Sequence, residues 1–200
     1  LAANSSTITV GGNWDDTGGT FTTNSGTIDF NGSGTQVLTT LGSQTYYNIT
    51  HSESGTLTLS TWLYKNSITI DHTLVGSGTE DETNFPVLIS LTGLSSINAN
   101  GTDIRFTTPD GTLLPREIES YSNGTLIAWV KIPVLSHTQD TTIYMYYGNS
   151  NATEPAADSS SGSQNVWTNG YASVYNLSTN SGGSLNTNDS TANGNNGING

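Results

Sequence analysis

Glu117 and Glu119 stand two residues apart in a run, Leu114 to Tyr121, that alternates as a strand does. On one strand face their carboxylates fall roughly 7 Å apart. That lies within the separation of an inverting glycosidase pair. Two solvated carboxylates on the outside of a hairpin have the same spacing, and nothing in the sequence marks a cleft around them, so catalysis is not expected. The other candidates are aromatic: Trp129, Tyr121, Tyr144 and Tyr146. Placed on one outward face with Glu117, Glu119 and Lys131, they would form a flat aromatic stripe beside hydrogen-bonding groups. Such a surface suits a sugar ring, and it suits docking against a neighbouring domain.

Other chemistry finds little support. His51, His72 and His137 are far apart and lack paired ligand spacing, so no metal site is expected. Asp15-Asp16 and Asp110-Gly111 read as turns, and no twelve-residue calcium loop occurs. Neither a Gly-x-Ser-x-Gly elbow nor a phosphate-binding Gly-Lys-Ser/Thr loop is present. No cofactor is implied.

The stripe depends on how a hairpin at Asn123-Gly124 is registered. A two-residue loop would set Arg116 opposite Lys131 and mix Glu117 and Glu119 with Leu126, Ala128 and Val130. A three-residue loop, Ser122-Asn123-Gly124, puts Ile118, Leu126, Ala128, Val130 and Ile132 on one face. Glu117, Glu119, Tyr121, Ile127, Trp129 and Lys131 then share the other. The second register buries no charge and is the one expected. On the run Thr141 to Tyr147, Ile143, Met145 and Tyr147 would point inward, with Tyr144 and Tyr146 outward.

The elements that carry these residues follow from composition. Ser, Thr, Asn and Gly supply 26, 33, 22 and 23 of the 200 residues, and 32% of the chain is hydrophobic. These are poor helix formers. Thr beside Ile, Val, Tyr and Trp in short alternating runs, cut by Gly and Asn-Gly, is the strand signature. The fold class is therefore all-β. Without cysteine there is no disulfide scaffold or Cys-ligated zinc. The longest apolar run, Leu126 to Leu135, is too short and is broken by Lys131, so no membrane-spanning helix is expected. The net charge of −12 comes from 16 carboxylates against four Lys and Arg. Four scattered cations do not make a nucleic-acid surface.

Three regions are expected, joined by two linkers. Residues 1–74 carry Thr7 to Val10, Thr27 to Phe30, Tyr47 to Thr50 and Ser67 to Ile70 at intervals near 20, with further strands at Thr35 to Thr39 and Thr56 to Ser60. Such spacing predicts a β-solenoid-like repeat stalk. Residues 75–84 read as a polar linker, 85–150 as a β-sandwich-like module and 151–165 as a Ser-rich linker. Residues 166–200 form the third region.

Resemblances sharpen this picture. Gly12-Asn13-Trp14 and Phe30-Asn31-Gly32 resemble the repeats of large bacterial adhesin-like proteins. Five runs follow one another in order: Phe85 to Ile89, Gly101 to Phe106, Asp110 to Glu119, Ala128 to Pro133 and Thr142 to Asn149. Together, over about residues 85–149, they resemble family twenty-three forty-one among the domains of unknown function. That family occurs in secreted or surface proteins of bacteria and archaea, often followed by a lectin-like jelly roll. Val166-Trp167, Tyr171 to Leu177 and Asn188 to Gly197 resemble the opening of such a concanavalin/laminin-G-like domain. The jelly roll would be incomplete at Gly200, so a fragment is expected.

The resemblances imply an extracellular or cell-surface location. The expectation is a non-enzymatic structural or adhesive protein whose partners are other domains of its parent chain, glycans or surface proteins. The alternative is a carbohydrate-binding accessory module of a secreted polysaccharide-degrading or glycan-recognising protein. A glycosidase would require Glu117 or Glu119 in a concave pocket.

Overall fold

The computed structural model describes residues 3–16, 21–22, 24–41, 45–76, 79–95, 97–178 and 185–198. Among them are thirteen strands and three short 3₁₀ turns, so the all-β expectation holds. No helix of the described residues is long and apolar enough to cross a membrane. Residues 1–2, 17–20, 23 and 42–44 of the expected stalk, 77–78 of the expected linker, 96 of the expected module and 179–184 and 199–200 of the third region lie outside the described residues.

The first six strands are β1 (Thr7–Val10), β2 (Trp14–Asp15), β3 (Thr27–Phe30), β4 (Thr35–Leu41), β5 (Asn48–His51) and β6 (Thr56–Trp62). They alternate between two parallel sheets, β1-β3-β5 and β2-β4-β6. The spacing seen in the sequence is the pairing register: Ile8 lies beside Ile28, and Ile28 beside Ile49. Phe21, Ile28, Phe30 and Leu38 are buried between the sheets with Ala3. Each large side chain buried this way contributes about 2 kcal/mol. Gln36 is 2% exposed and acts as a polar rivet between successive passes of chain. Its amide nitrogen donates to Val10 O at 2.9 Å and Gly12 O at 2.6 Å, while its Oε1 accepts from Gly32 N at 2.7 Å. The stacking is close at Gly55, where a Cβ would stand 2.2 Å from Gly34 O.

The fourth interval does not continue the pattern. β7 (Tyr64–Ile70) follows β6 after the single residue Leu63 and pairs antiparallel with β13 (Thr141–Tyr147), Ile68 opposite Ile143. Ser67 to Ile70 therefore belongs to the next unit, despite its Thr/Ile spacing. Partner choice is set by the apolar face that each side chain meets, and Ile68 and Ile70 meet the second core.

That second core lies between two antiparallel sheets. One has the order β10-β9-β13-β7, with β9 at Arg105–Thr107 and β10 at Leu113–Leu114. The other has the order β11-β12-β8, with β8 at Glu82–Leu91, β11 at Arg116–Ser122 and β12 at Thr125–Leu135. Leu126, Ala128, Val130 and Ile132 from β12 meet Phe106, Ile143 and Met145 from the opposite sheet. Period-2 alternation places every second β12 residue inward until Pro133. Pro86 sits on β8, an edge strand, where its missing N–H costs no ladder bond.

The β11–β12 hairpin corrects the expected register. Ser122 pairs with Thr125 across a two-residue loop, with Asn123 at φ 49° and Gly124 at φ 76°. This is the geometry that Asn-Gly favours. A β-bulge between Ile118 and Ser120 then restores parity, so Ile118 faces Ala128 and Glu117 faces Trp129. The expectation that no charge would be buried also fails. Arg116 lies opposite Val130 and is wholly buried. Its charge is met by a bidentate pair with Glu154, at 2.7 and 2.8 Å, and its Nε donates to Ile104 O at 2.6 Å.

Candidate functional site

The bulge decides which candidate residues meet. Glu117, Glu119, Trp129 and Lys131 share a region on the outer side of β11 and β12. Tyr121 does not join them: it lies opposite Leu126 and packs on the core, because the bulge reverses its side of the strand. Tyr144 and Tyr146 do lie outward, but on β13, which belongs to the opposite sheet. The single stripe is therefore two separate surfaces.

On the first surface the residues are engaged by the same chain. A 3₁₀ turn, Ser163–Trp167, packs against β11 and β12. The Trp129 and Trp167 rings lie 5.3 Å apart at 59°, and Tyr171 meets Trp167 edge-on at 5.4 Å. Trp129 Nε1 donates to Glu119 Oε2 at 3.0 Å. Glu117 accepts from three separate points: Trp167 Nε1, Asn176 Nδ2 at 2.9 Å and Ser190 Oγ at 2.6 Å. Lys131 Nζ donates to Thr168 Oγ1 at 2.9 Å, and burial lowers the ammonium's pKa.

The covering segment is held by Asp189. Its carboxylate accepts from the backbone N–H groups of Val174 (3.0 Å), Thr191 (2.9 Å) and Asn195 (2.9 Å) and from Thr191 Oγ1 (2.8 Å). Partial desolvation works against ionisation here, but the hydrogen bonds outweigh it and hold the carboxyl at about 2. The Asn-rich run 188–197 thus forms a loop wrapped around one carboxylate.

On the second surface, Lys65 Nζ stands 4.0 Å from the Tyr144 ring centroid and 5.3 Å from that of Tyr146. Tyr146 is only 3% exposed because Trp62, at the end of β6, covers it edge-on at 6.5 Å. On the inner side of the same strand pair, Tyr64 stacks on Tyr147 at 4.9 Å.

One grouping was not legible from spacing. Asp71, His72 and Asp140 bring ligand-type atoms within 4.8 Å of one another. His72 donates through its backbone N–H to Asp140 Oδ1, whose distance to His72 Nδ1 is 2.7 Å. Asp71 Oδ1 is committed to Thr73 N and Oγ1. His137 and Asp81 repeat the arrangement, again with Nδ1 at 2.7 Å from Oδ1. Both pairs staple the turn between β12 and β13 to neighbouring chain, and each carboxylate's pKa is lowered, chiefly by its hydrogen bonds to the histidine.

No curated protein and no solved structure matches the chain. The matched residues of the family model begin after β8, extend past the expected module end at 150 and include the Trp167 turn that packs on Trp129. This stretch of the chain, residues 100–169, matches the family described as Domain of unknown function (DUF2341).

Proposed function

We propose that this chain is a non-enzymatic structural or adhesive segment of an extracellular or cell-surface protein. A solenoid-like repeat carries a β-sandwich-like module, and a further segment with lectin-like character docks on that module. The observation that carries this reading is Glu117. Both of its oxygens accept hydrogen bonds from the covering segment, beneath an indole pair, where a glycosidase would need them open to a sugar and a water. Catalytic carboxylates face substrate, whereas this one fastens a neighbour. The low content of charge and the exposed hydroxyl-rich strands suit a stalk outside a cell.

The test compares the wild-type chain with Glu117→Gln in two measurements. One follows reducing-end release from a panel of polysaccharides, and the other follows limited proteolysis within 171–198. The reading expects no turnover by either protein and faster cleavage of the variant. Turnover that Glu117→Gln abolishes would overturn it.

A further inference from the structure

A cleft of about 220 Å³ lies where the first six strands meet the β10-β9-β13-β7 sheet. Asp15 and Thr39 line it from β2 and β4, and Trp62 from the end of β6. Arg105, Thr107 and Tyr146 line it from the facing sheet. Trp62 and Tyr146 supply aromatic walls, and the Arg105 guanidinium lies 5.7 Å from the Trp62 ring centroid. Thr107 is 5% exposed, and its hydroxyl, closed to solvent, has no hydrogen-bond partner among the described residues. The accessible polar side chains of the cleft are therefore those of Asp15, at the exposed rim, and the half-buried Thr39.

The charges narrow the occupant. Arg105 directs Nη1 to Thr102 O and Ile104 O, at 2.9 and 2.8 Å, and Nη2 to Thr153 O. Three of its five N–H groups are thus committed to carbonyls, which leaves an incomplete fork for a carboxylate or phosphate. Asp15 at the exposed rim repels anions further, on a chain of net charge −12. A cation, which the aromatic walls would otherwise attract, meets the Arg105 charge. A purely apolar ligand would strip water from Asp15 and Thr39 with no replacement. What remains is a neutral ring with an apolar face and a rim of hydroxyls. The cleft is smaller than the roughly 300 Å³ at which drug-sized sites begin, which gives room for one ring.

We propose that this cleft binds a single neutral pyranose ring, free or at the end of a glycan, with Trp62 against its face and Asp15 and Thr39 toward its hydroxyls. The site is independent of the Glu117 surface. It goes beyond the scaffold reading without resting on it.

The experiment is a saturation-transfer NMR titration of the intact chain. The probes are the methyl glycosides of glucose, galactose and mannose, N-acetylglucosamine, glucuronate and choline. At least one neutral ring binds in the millimolar range, as suits a single-ring site. Glucuronate and choline bind at least about tenfold more weakly, given the flanking charges. Asp15→Asn, on an exposed strand end, keeps the fold and weakens binding about tenfold. Trp62→Ala abolishes binding, and Trp62→Phe retains part of it, which separates loss of the site from loss of the joint. Leu74→Ser, at an exposed residue outside the cleft, leaves binding unchanged. The proposal is overturned by no binding of any neutral ring. It is equally overturned by glucuronate or choline binding as well as the neutral rings, or by neutral-ring binding that survives both Asp15→Asn and Trp62→Ala. Failure here leaves the Glu117 proteolysis result untouched, so the two readings fall separately.

Discussion

The two outer surfaces of the two-sheet unit are covered by the same chain in different chemistry. Upstream, Trp62 covers β13 with a ring set edge-on to Tyr146, while Tyr64 stacks on Tyr147 on the inner side of the same strand pair. Downstream residues cover β11 and β12 with the Trp167 ring and with hydrogen bonds that converge on Glu117, and the cover is itself held together at Asp189. Aromatic packing depends on shape and scarcely on pH. A carboxylate anchor depends on ionisation and on each donor being in place. The upstream joint should therefore resist acid and fail on steric change, and the downstream cover should do the reverse.

The largest effect should come where the downstream cover begins. Glu154→Gln leaves the wholly buried Arg116 without its counter-charge. Breaking such a pair from one side costs about 3 kcal/mol, read as a lower urea midpoint with an unchanged slope. Next is the upstream joint. Gly148 has φ +84°, and a Cβ there would lie 2.8 Å from Tyr64 Cδ2. Gly148→Ala should cost about 2 kcal/mol through backbone strain and displaced rings, seen as a change in near-ultraviolet dichroism that Glu154→Gln does not produce.

Glu117→Ala removes three accepted hydrogen bonds at a partly buried site. It should destabilise the cover by about 1–2 kcal/mol, detected as faster hydrogen exchange in 171–178 and 185–191 with the upstream strands unchanged.

The smallest effect is pH-dependent and differs in sign between the two regions. Asp189 is held at about 2, below its ordinary 3.8. Its contribution is present above pH 3.8 and is lost as pH falls through about 2. In the first six strands, Asp16 is raised above 3.8 by burial, against the lowering bond from Tyr46. Its contribution is present below 3.8 and is lost as pH rises through the raised value. Exchange measured from pH 5 to pH 2 should show 174–178 and 185–195 loosening while the surroundings of Asp16 tighten. Loosening of both together would erase the contrast.

Much of this contrast was legible in the residues, and its arrangement was not. The alternation of β12 and β13 showed which side chains face inward, and the interval near 20 aligned Ile8, Ile28 and Ile49. Period alone cannot tell one sheet from its opposite, so it groups Tyr144 and Tyr146 with Trp129. It cannot reveal a bulge either, and one residue at Glu119 moved Tyr121 to the core. Burying Arg116 looked costly because its partner, Glu154, stands 38 positions away in what read as a linker. Trp62, now a wall of the proposed ring site, gave no signal at all, since its neighbours come from β9 and β13.

The pairing of β7 with β13 has a mechanical consequence. Tyr64, where chain arrives from β6, lies directly opposite Tyr147, where chain departs. Tension applied from the two sides thus reaches the same end of an antiparallel pair and opens it one rung at a time, as a zipper does, rather than shearing seven rungs at once. The stacked tyrosines guard that first rung, and the Arg116–Glu154 clamp anchors the departing chain to the other sheet before the load arrives. In a surface stalk, those two contacts would set the force at which the unit yields.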